Sequence, residues 1–153
     1  MDDLKIITFN ADYREHFKNL NIDWLEKYFK VEPIDMKVLS SPEEIINKGG
    51  QIFFALLNGE VVGTCALLRD EDQFELSKMA VTEKAQGKKI GHKLGEAAVA
   101  YAHEAGVKKI FLESNRKLIP ALNLYKKLGF KEVENYKSEK YLRSDIKMEL
   151  DLN

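Results

Sequence analysis

Residues Met79 to Leu94, MAVTEKAQGKKIGHKL, carry the most informative pattern in the sequence. It begins at the end of an apolar strand, Phe74 to Val81, and continues through a short polar connection. A helix follows, because from Ile90 onward apolar residues recur on one helical face. These residues are Ile90, Leu94, Ala97, Ala98, Tyr101 and Ala105. The sequence therefore predicts a strand, a loop and a helix that ends at Gly106.

The loop of this unit, Gln86-Gly87-Lys88-Lys89-Ile90-Gly91, has features typical of an anion site. The first N–H groups of a helix are free and the helix dipole favours negative charge there. Gly87 and Gly91 let the backbone approach phosphate oxygens closely. The side chains that add positive charge are Lys88, Lys89, His92 and Lys93. Taken alone, the loop fits equally well a tight connection with solvated lysines.

Two other phosphate-binding patterns do not fit this loop. A nucleoside-triphosphatase loop needs Gly-Lys-Ser/Thr five positions after its first glycine, and His92 stands five positions after Gly87. A dinucleotide fingerprint needs three glycines at fixed offsets, and the loop supplies two.

Before this unit, the sequence predicts one strand, two helical regions and two further strands. A first strand covers Leu4–Phe9, helical signals run from Asp12 to Phe29, and Pro33 ends that region because proline disfavours a helical predecessor. Ser41-Pro42-Glu43-Glu44 is a helix-start pattern, and that helix should stop at Gly49-Gly50. The two strands are Gln51–Leu57 and Glu60–Leu68, joined by the hairpin turn Asn58-Gly59.

After this unit, the predicted elements alternate between strand and helix. They are a strand at Val107–Leu112, a helix at Ile119–Leu128 capped by Gly129, and closing strands at Phe130–Val133 and Tyr141–Leu150, with Tyr136–Leu142 as an alternative loop. The order predicts an α/β fold with a mixed, mostly antiparallel sheet and helices on both faces.

Composition limits the protein to a few classes. A chain of 153 residues, 44% hydrophobic and 32% charged, is predicted to form one domain over residues 1–153. The net charge of −1 gives no field that favours nucleic acid, and no apolar run approaches the roughly 20 residues that span a membrane. The single Cys65 and the acidic N-terminus predict a cytoplasmic location. Three scattered histidines predict no metal site.

Together with the loop, three segments resemble the GNAT family of acetyl-CoA-dependent N-acetyltransferases. They are FELSKMAV at 74–81, LESN at 112–115 and ALNLYKKLGF at 121–130. The family pattern Gln/Arg-x-x-Gly-x-Gly/Ala maps onto Gln86, Lys89 and Gly91, with a lysine where the first glycine is usual. A second departure is Leu118, since many members carry an asparagine seven residues before the tyrosine. The resemblance covers residues 50–135 and implies the acyl-CoA N-acyltransferase (GNAT) fold.

The resemblance also implies a coenzyme A site. The backbone at Met79 and Val81 would pair with the pantetheine arm as an added strand, and the N–H near Met79 would polarise the thioester carbonyl. Asn115 would take the polar role that Leu118 lacks. The full implied set is Met79, Ala80, Val81, Gln86, Gly87, Lys88, Lys89, Ile90, Gly91, His92, Asn115 and Tyr125. The alternative for His92 is a solvated helix residue.

Amide formation needs a base for the attacking ammonium and an acid for the departing thiolate. By resemblance, Tyr125 is the candidate acid, and its alternative is a packed helix aromatic. Glu75 and Glu113 compete as the base, Glu75 acting through water. The alternative for each carboxylate is an ion pair with a lysine at the rim.

The function implied is acetyl transfer from acetyl-CoA to a primary amine of a small molecule or peptide, by direct attack in a ternary complex without a metal. The closing strands of such domains can pair across a homodimer. Two alternatives stay open: a non-catalytic coenzyme A sensor, and an acyltransferase that uses a longer acyl donor.

Overall fold

The computed structural model describes residues 3–134, 136–137 and 140–152. The predicted domain 1–153 and the predicted loop Tyr136–Leu142 therefore lie partly outside the described residues.

The helices and strands follow the predicted order with one addition. In chain order they are β1 Leu4–Thr8, α1 Arg14–Tyr28, α2 Pro33–Leu39, α3 Pro42–Asn47, β2 Gln51–Leu57, β3 Glu60–Asp70, β4 Gln73–Val81, α4 Ile90–Ala105, β5 Lys109–Ser114, α5 Ile119–Leu128, β6 Lys131–Glu132 and β7 Ile146–Asp151.

The strands of the described residues form one seven-stranded sheet in the order β1-β2-β3-β4-β5-β7-β6. Neighbouring strands are antiparallel except β4 and β5, which run parallel. The parallel pair requires a crossover, and α4 supplies it. The predicted mixed, mostly antiparallel sheet is confirmed. None of the described helices has the length and apolar character that crossing a membrane requires.

Helices cover both faces of the sheet, as predicted. One core contains the apolar face of α4, including Ile90 and Leu94, together with Leu122 of α5. The other core lies under α1, α2 and α3, with Phe17 and Leu39 fully buried. Because each helix buries one apolar stripe against the strands, the two layers hold the sheet between them.

The helical region before Pro33 does end before that residue, but the sequence prediction missed the helix that begins there. Pro33 is the first residue of α2, where its fixed φ and missing N–H are tolerated. Glu32 is the N-cap, and the Asp35 carboxylate accepts a hydrogen bond from the Glu32 N–H at 2.9 Å. The acidic residue at the third helical position was the available sequence signal for this helix start.

Several strand boundaries also differ from the prediction, including those of β5 and β7. β5 begins at Lys109 and continues to Ser114, so Glu113 lies inside the strand. β7 begins at Ile146 rather than Tyr141. Residues Tyr141 and Arg143 do not join the ladder because their side chains turn toward α2 and β4, where they meet buried charges.

Candidate active site

A cleft opens where the parallel strands β4 and β5 separate. Their pairing covers Gln73–Glu75 and Lys109–Phe111, and beyond that point each strand continues without the other. Lys78 in β4 has φ +56°, and the β3–β4 register shifts there. This bulge bends β4 away from β5, as bulges commonly do.

The resulting cleft has a volume of about 290 Å³. It is lined by α1, β4, β5, α5 and the segment before β7. The lining residues are Asn21, Trp24, Leu25, Phe29, Leu76, Ser77, Lys78, Met79, Ala80, Val81, Gln86, Glu113, Ser114, Asn115, Leu118, Pro120, Ala121, Leu124, Tyr125, Tyr141, Arg143 and Ser144.

The open edge of β4 presents backbone groups to this cleft. The N–H of Thr82 donates to the carbonyl of Val62 in β3 at 2.8 Å. Because N–H groups along an antiparallel strand alternate between its two sides, those of Val81 and Met79 point away from β3. They face the side on which β5 has departed, so an extended ligand can add there as a strand.

The glycine-lysine loop lies before α4 and has unpaired backbone donors. Gly87 and Lys89 take left-handed conformations, with φ +83° and +60°. Among the described residues, nothing accepts a hydrogen bond from the N–H of Gly87 or Lys89, or from the first amides of α4, those of Ile90, Gly91 and His92. Lys89 is the N-cap, and its side chain makes no cap hydrogen bond. The helix start therefore presents a group of donors suited to an anion.

The conformation of Lys89 explains the departure from the family pattern. A left-handed backbone favours glycine, and a side chain there costs about 1–2 kcal/mol. Lys89 adopts this conformation, with φ +60°. The cost falls on stability and not on the shape of the loop.

Gly91 lies at the boundary between this loop and the cleft. A Cβ atom built on it would lie 3.4 Å from Cδ2 of Leu124 and 3.7 Å from Sδ of Met79. A side chain at this position would therefore project toward cleft-lining residues of α5 and β4. Next to it, His92 Nε2 lies 3.6 Å from the carboxylate of Glu96, one turn along α4.

We expect Gly91→Glu to weaken acetyl-CoA binding more than tenfold. Two like charges about 5 Å apart repel by roughly 1.5–2 kcal/mol at an effective dielectric constant between those of protein surface and water. Calorimetric titration with acetyl-CoA measures the effect. Gly91→Gln is the matched control, because it has the same size without the charge. Equal affinities for the Glu and Gln variants would show that the phosphates lie elsewhere.

Tyr125 lies in the cleft wall, as its predicted role requires. It is half-buried on α5, and its ring meets Phe130 at 6.1 Å between centroids. Burial raises the pKa of its hydroxyl to about 12, and nearby Cys65 adds to the effect. The hydroxyl therefore stays protonated at neutral pH and can donate a hydrogen bond.

Both candidate bases lie on the same face of the sheet. Glu75 pairs with Phe111 across the parallel strands, and Glu113 is two residues beyond Phe111 on β5. Side chains two apart on a strand share a face, so the two carboxylates face the same side. Burial raises the pKa of Glu75, the ion pair with Lys140 opposes that rise, and the charge of Glu113 adds to it.

The two carboxylates differ in their surroundings. Glu75 is 5% exposed, and its Oε1 lies 2.7 Å from the Nζ of Lys140. Glu113 lines the cleft directly and accepts a hydrogen bond from the Tyr136 hydroxyl. Glu75 is not among the lining residues, so it would reach a ligand through water.

Asn115 lies at the cleft rim with its amide engaged in protein contacts. Its Nδ2 donates to the carbonyl of Arg143 at 2.7 Å, and its Oδ1 accepts from the N–H of Lys117 at 2.9 Å. Asn115 thus joins the β5–α5 loop to the segment before β7. Its role toward the coenzyme stays a prediction.

A buried charge network at one end of the cleft was missed in the sequence. Asp35 is fully buried and accepts from the Nζ of Lys78 at 2.6 Å and from both Nη atoms of Arg143 at 2.8 Å. Arg143 also donates to Glu32 at 2.9 Å. Lys78 and Arg143 lie 43 and 108 positions from Asp35 in the sequence, so no local pattern predicts these contacts.

The network surrounds Tyr141, which was also missed. The Nζ of Lys78 and the guanidinium carbon of Arg143 each lie 4.7 Å from its ring centroid. Positive charges over the face of an aromatic ring are attracted to its π electrons. Asp35, on α2, is thereby connected through Lys78 to the bulge of β4 and through Arg143 to the segment that lines the cleft.

Aromatic side chains of α1 and its end form another wall of the cleft. The ring centroids of Trp24 and Phe29 are 5.8 Å apart, and both residues line the cleft. The Nζ of Lys117 lies 4.2 Å from the centroid of Phe29 and donates to the carbonyl of Tyr28 at 3.1 Å. The β5–α5 loop thus contacts the end of α1 beside the cleft. Within the described residues, no group of three or more His, Cys, Asp or Glu could hold a metal ion.

Comparison with known proteins gives a consistent result. The model of the acetyltransferase (GNAT) family matches residues 14–130. YjgM of Escherichia coli K12, an uncharacterised N-acetyltransferase, is 30% identical over 96 residues, which is 60% of this chain. That match spans 58% of the length of the E. coli protein.

Solved structures resemble the chain over almost its whole length. A GNAT-family acetyltransferase from Staphylococcus aureus Mu50 has a TM-score of 0.88 at 27% identity, covering 99% of this chain and all of that one. A phosphinothricin acetyltransferase from Sinorhizobium meliloti, crystallised with acetyl-CoA, has a TM-score of 0.80 at 16% identity, covering 97% of this chain and 88% of that one. The second likeness shows the fold alone.

Proposed function

The chain belongs to the acetyltransferase (GNAT) family, and on this basis we propose that it transfers an acetyl group from acetyl-CoA to a primary amine of a small molecule or peptide. The observation that carries the proposal is that a group of free backbone donors and a half-buried tyrosine lie along the same cleft. The unpaired amides before α4 lie at one end of the separation between β4 and β5, and Tyr125 lies in the wall of the cleft that the separation opens. The relative from Sinorhizobium meliloti was crystallised with acetyl-CoA, which supports the donor.

In this proposal, the loop holds the pyrophosphate and the open edge of β4 holds the pantetheine arm. The N–H groups of Gly87, Lys89 and the first turn of α4 donate to phosphate oxygens. The N–H groups of Met79 and Val81 pair with the amides of the pantetheine. The thioester then lies between the β4 bulge and Tyr125, where the N–H of Met79 can donate to the carbonyl oxygen as negative charge develops.

The reaction proceeds by direct attack in a ternary complex. A carboxylate, Glu75 through water or Glu113 directly, accepts a proton from the acceptor ammonium. The amine attacks the thioester carbon, and the C–S bond breaks. The hydroxyl of Tyr125 donates to the departing sulfur, since its pKa of about 12 keeps it protonated.

A thiol-release assay with acetyl-CoA and a panel of primary amines tests the proposal. We expect amine-dependent release of coenzyme A, with mass spectrometry showing an acetylated amine. Propionyl-CoA and butyryl-CoA in the same assay test for a longer acyl donor. Calorimetric binding of coenzyme A without turnover on any amine would instead favour a sensor, and absence of binding would contradict the proposal.

Tyr125→Phe should lower turnover by about 10–100-fold, somewhat below the usual range for a general acid. The effect is modest because a thiol with a pKa of about 8.5 leaves readily without full protonation. Affinity for acetyl-CoA should change little, since the ring stays in place. Kinetics at saturating substrate and calorimetry separate the two quantities.

Tyr101→Phe is the matched control for that substitution. Tyr101 lies on α4 and packs edge-on against Phe53 at 5.7 Å, and it is not among the lining residues of the cleft. Turnover of Tyr101→Phe should match that of the unmodified protein. Equal turnover of Tyr125→Phe and Tyr101→Phe would remove Tyr125 from the reaction.

A further inference from the structure

Lys140 holds a primary ammonium against the carboxylate of Glu75. The Nζ lies 2.7 Å from Oε1, and the two residues are 65 positions apart in the chain. The Glu75 side chain is 6% exposed and the Lys140 side chain 33% exposed. A primary ammonium on a buried carboxylate is the arrangement that an external acceptor would need in order to lose its proton to Glu75.

This ion pair lies beside the cleft. Tyr141 lines the cleft, and the Nζ of Lys140 lies 5.2 Å from its ring centroid. Leu76, the neighbour of Glu75 in β4, also lines the cleft. Glu113, another lining residue, is close enough to Glu75 to raise its pKa. The ammonium is therefore next to the part of the cleft lined by Leu76, Glu113 and Tyr141.

The side chain of Lys140 is less confined than that of Lys78, the other lysine at the Tyr141 ring. Its four-carbon stem has rotatable bonds throughout, and a third of it is exposed. Lys78 contacts the same Tyr141 ring, but its side chain is only 3% exposed and is held by the buried Asp35. The exposure of Lys140 permits its amine to leave Glu75 toward the cleft, whereas Lys78 is confined.

We propose that Lys140 is an internal acceptor, at which the protein acetylates itself when no external amine occupies the cleft. The inference rests on the proposed function, because it uses the same donor and the same base. It adds a modification site and a competitor, because Lys140 occupies Glu75, a candidate base for an external amine.

The chemistry is that of the external reaction. The Lys140 ammonium loses one proton to Glu75, and the neutral amine attacks the carbonyl carbon of acetyl-CoA. A C–N bond forms and the C–S bond breaks, with the electron pair leaving on sulfur. The nitrogen loses a second proton as it becomes an amide. One of the two protons ends on the coenzyme A thiol and the other is released to solvent.

Lys109 is a matched comparator within the same molecule. Its side chain is also 33% exposed, and its Nζ lies 3.2 Å from the Glu149 carboxylate. Lys109 lies on β5 and Glu149 on the neighbouring strand β7, two register positions away, and neither lines the cleft. Spontaneous acetylation by acetyl-CoA should therefore affect Lys109 and Lys140 similarly, and only an enzymatic step should favour Lys140.

Peptide mass spectrometry after incubation of the full chain with acetyl-CoA tests the proposal. We expect acetylation of Lys140 to be more than tenfold faster than that of Lys109. The fraction of Lys140 acetylated per unit time should not change when the protein is diluted tenfold at constant acetyl-CoA, because the step is intramolecular. Equal rates at the two lysines, or a rate at Lys140 that falls with dilution, would overturn the proposal.

Glu75→Gln provides a second measurement. It should slow acetylation of Lys140 at least tenfold and leave Lys109 unchanged, because only Lys140 depends on that carboxylate. An external amine that the protein accepts should also protect Lys140 from acetylation. Equal labelling of Lys140 in Glu75→Gln and in the unmodified protein would contradict the role of the ion pair.

Thiol release with external amines, measured on the same preparations, separates this inference from the proposed function. If external amines are acetylated while Lys140 is labelled no faster than Lys109, the inference fails and the function stands. If acetyl-CoA neither binds nor acetylates any amine, both fail.

Discussion

Glu75→Gln should lower turnover by about 10²–10⁴-fold, the usual contribution of a general base. The carboxylate is buried, and burial raises its pKa from the ordinary glutamate value, despite the opposing charge of Lys140. A base works best when its pKa lies close to the working pH, so the upward shift suits Glu75 to this role. Steady-state kinetics with saturating acetyl-CoA measure the loss.

Glu113→Gln is the comparison that decides between the two carboxylates. If Glu75 is the base, turnover of Glu113→Gln should fall less than about tenfold, below the usual contribution of a general base. Its pH profile should also move, since the charge of Glu113 raises the pKa of Glu75. Removing that charge should lower the pKa of Glu75, so the fall of turnover at acidic pH should move to lower pH. In Glu75→Gln this fall of turnover should disappear from the pH profile. A larger loss in Glu113→Gln, with the fall at acidic pH intact in Glu75→Gln, would assign the base to Glu113.

A control for the loss of a lysine-paired carboxylate comes from the same face of the sheet. Glu149 is also paired with a lysine, Lys109, and does not line the cleft. Glu149→Gln should leave turnover unchanged. A loss as large as that in Glu75→Gln would mean that the sheet, and not a base, had been disturbed.

The fold could be predicted from local patterns because most of its elements carry their own signals. Asn58 and Gly59 have φ +53° and +84°, as the predicted two-residue hairpin turn requires. The helix at Ile119–Leu128 and its cap at Gly129 are confirmed to the residue. In each case the pattern depends on neighbours in the sequence, which the chain itself supplies.

The missed features depend on contacts between distant residues. The bulge at Lys78 interrupts a strand that reads as continuous, because the side chain follows Asp35 rather than the pleat. Lys140 and Arg143 belong to a segment that the sequence predicted partly as strand. Their partners, Glu75 and Asp35, lie 65 and 108 positions earlier. The proposed coenzyme side of the cleft is thus marked in sequence, whereas the proposed acceptor side depends on tertiary contacts.

The loop before α4 shows how a departure from a pattern can be resolved by structure. In sequence, Lys89 stands where a glycine is usual, and nothing local shows whether the backbone still turns. Its φ of +60° shows that it does. The left-handed conformation that glycine favours is thus present at this position, and lysine adopts it at a cost in stability.

Asp35→Asn should lower the free energy of unfolding by about 3–5 kcal/mol, as breaking a buried ion pair commonly does. The carboxylate accepts hydrogen bonds from Lys78, from both Nη atoms of Arg143 and from the N–H of Glu32. An amide of the same shape has one oxygen in place of two and adds donors facing those cations. The Lys78 ammonium, 3% exposed, then loses its charge partner. Urea denaturation at neutral pH measures the loss.

Glu43→Gln is the matched control, because Glu43 receives two hydrogen bonds from Arg14 in the same paired geometry but at the surface. Its side chain is 46% exposed, so water screens the charges and replaces the lost bonds. The loss of stability in Glu43→Gln should be much smaller than in Asp35→Asn. Similar losses would mean that burial does not determine the strength of the Asp35 network.

The dependence on pH gives an independent test of the same network. Burial alone would raise the pKa of Asp35, but hydrogen bonds from Arg143 and Lys78 outweigh it and lower the pKa to about 2. A lowered pKa contributes stability above the unfolded value of about 3.9, and that stability is lost as the pH falls toward 2. The stability gap between the unmodified protein and Asp35→Asn should therefore narrow by roughly 2–3 kcal/mol between pH 5 and pH 2. A gap that stays constant over this range would show that Asp35 is not held ionised by its two cations.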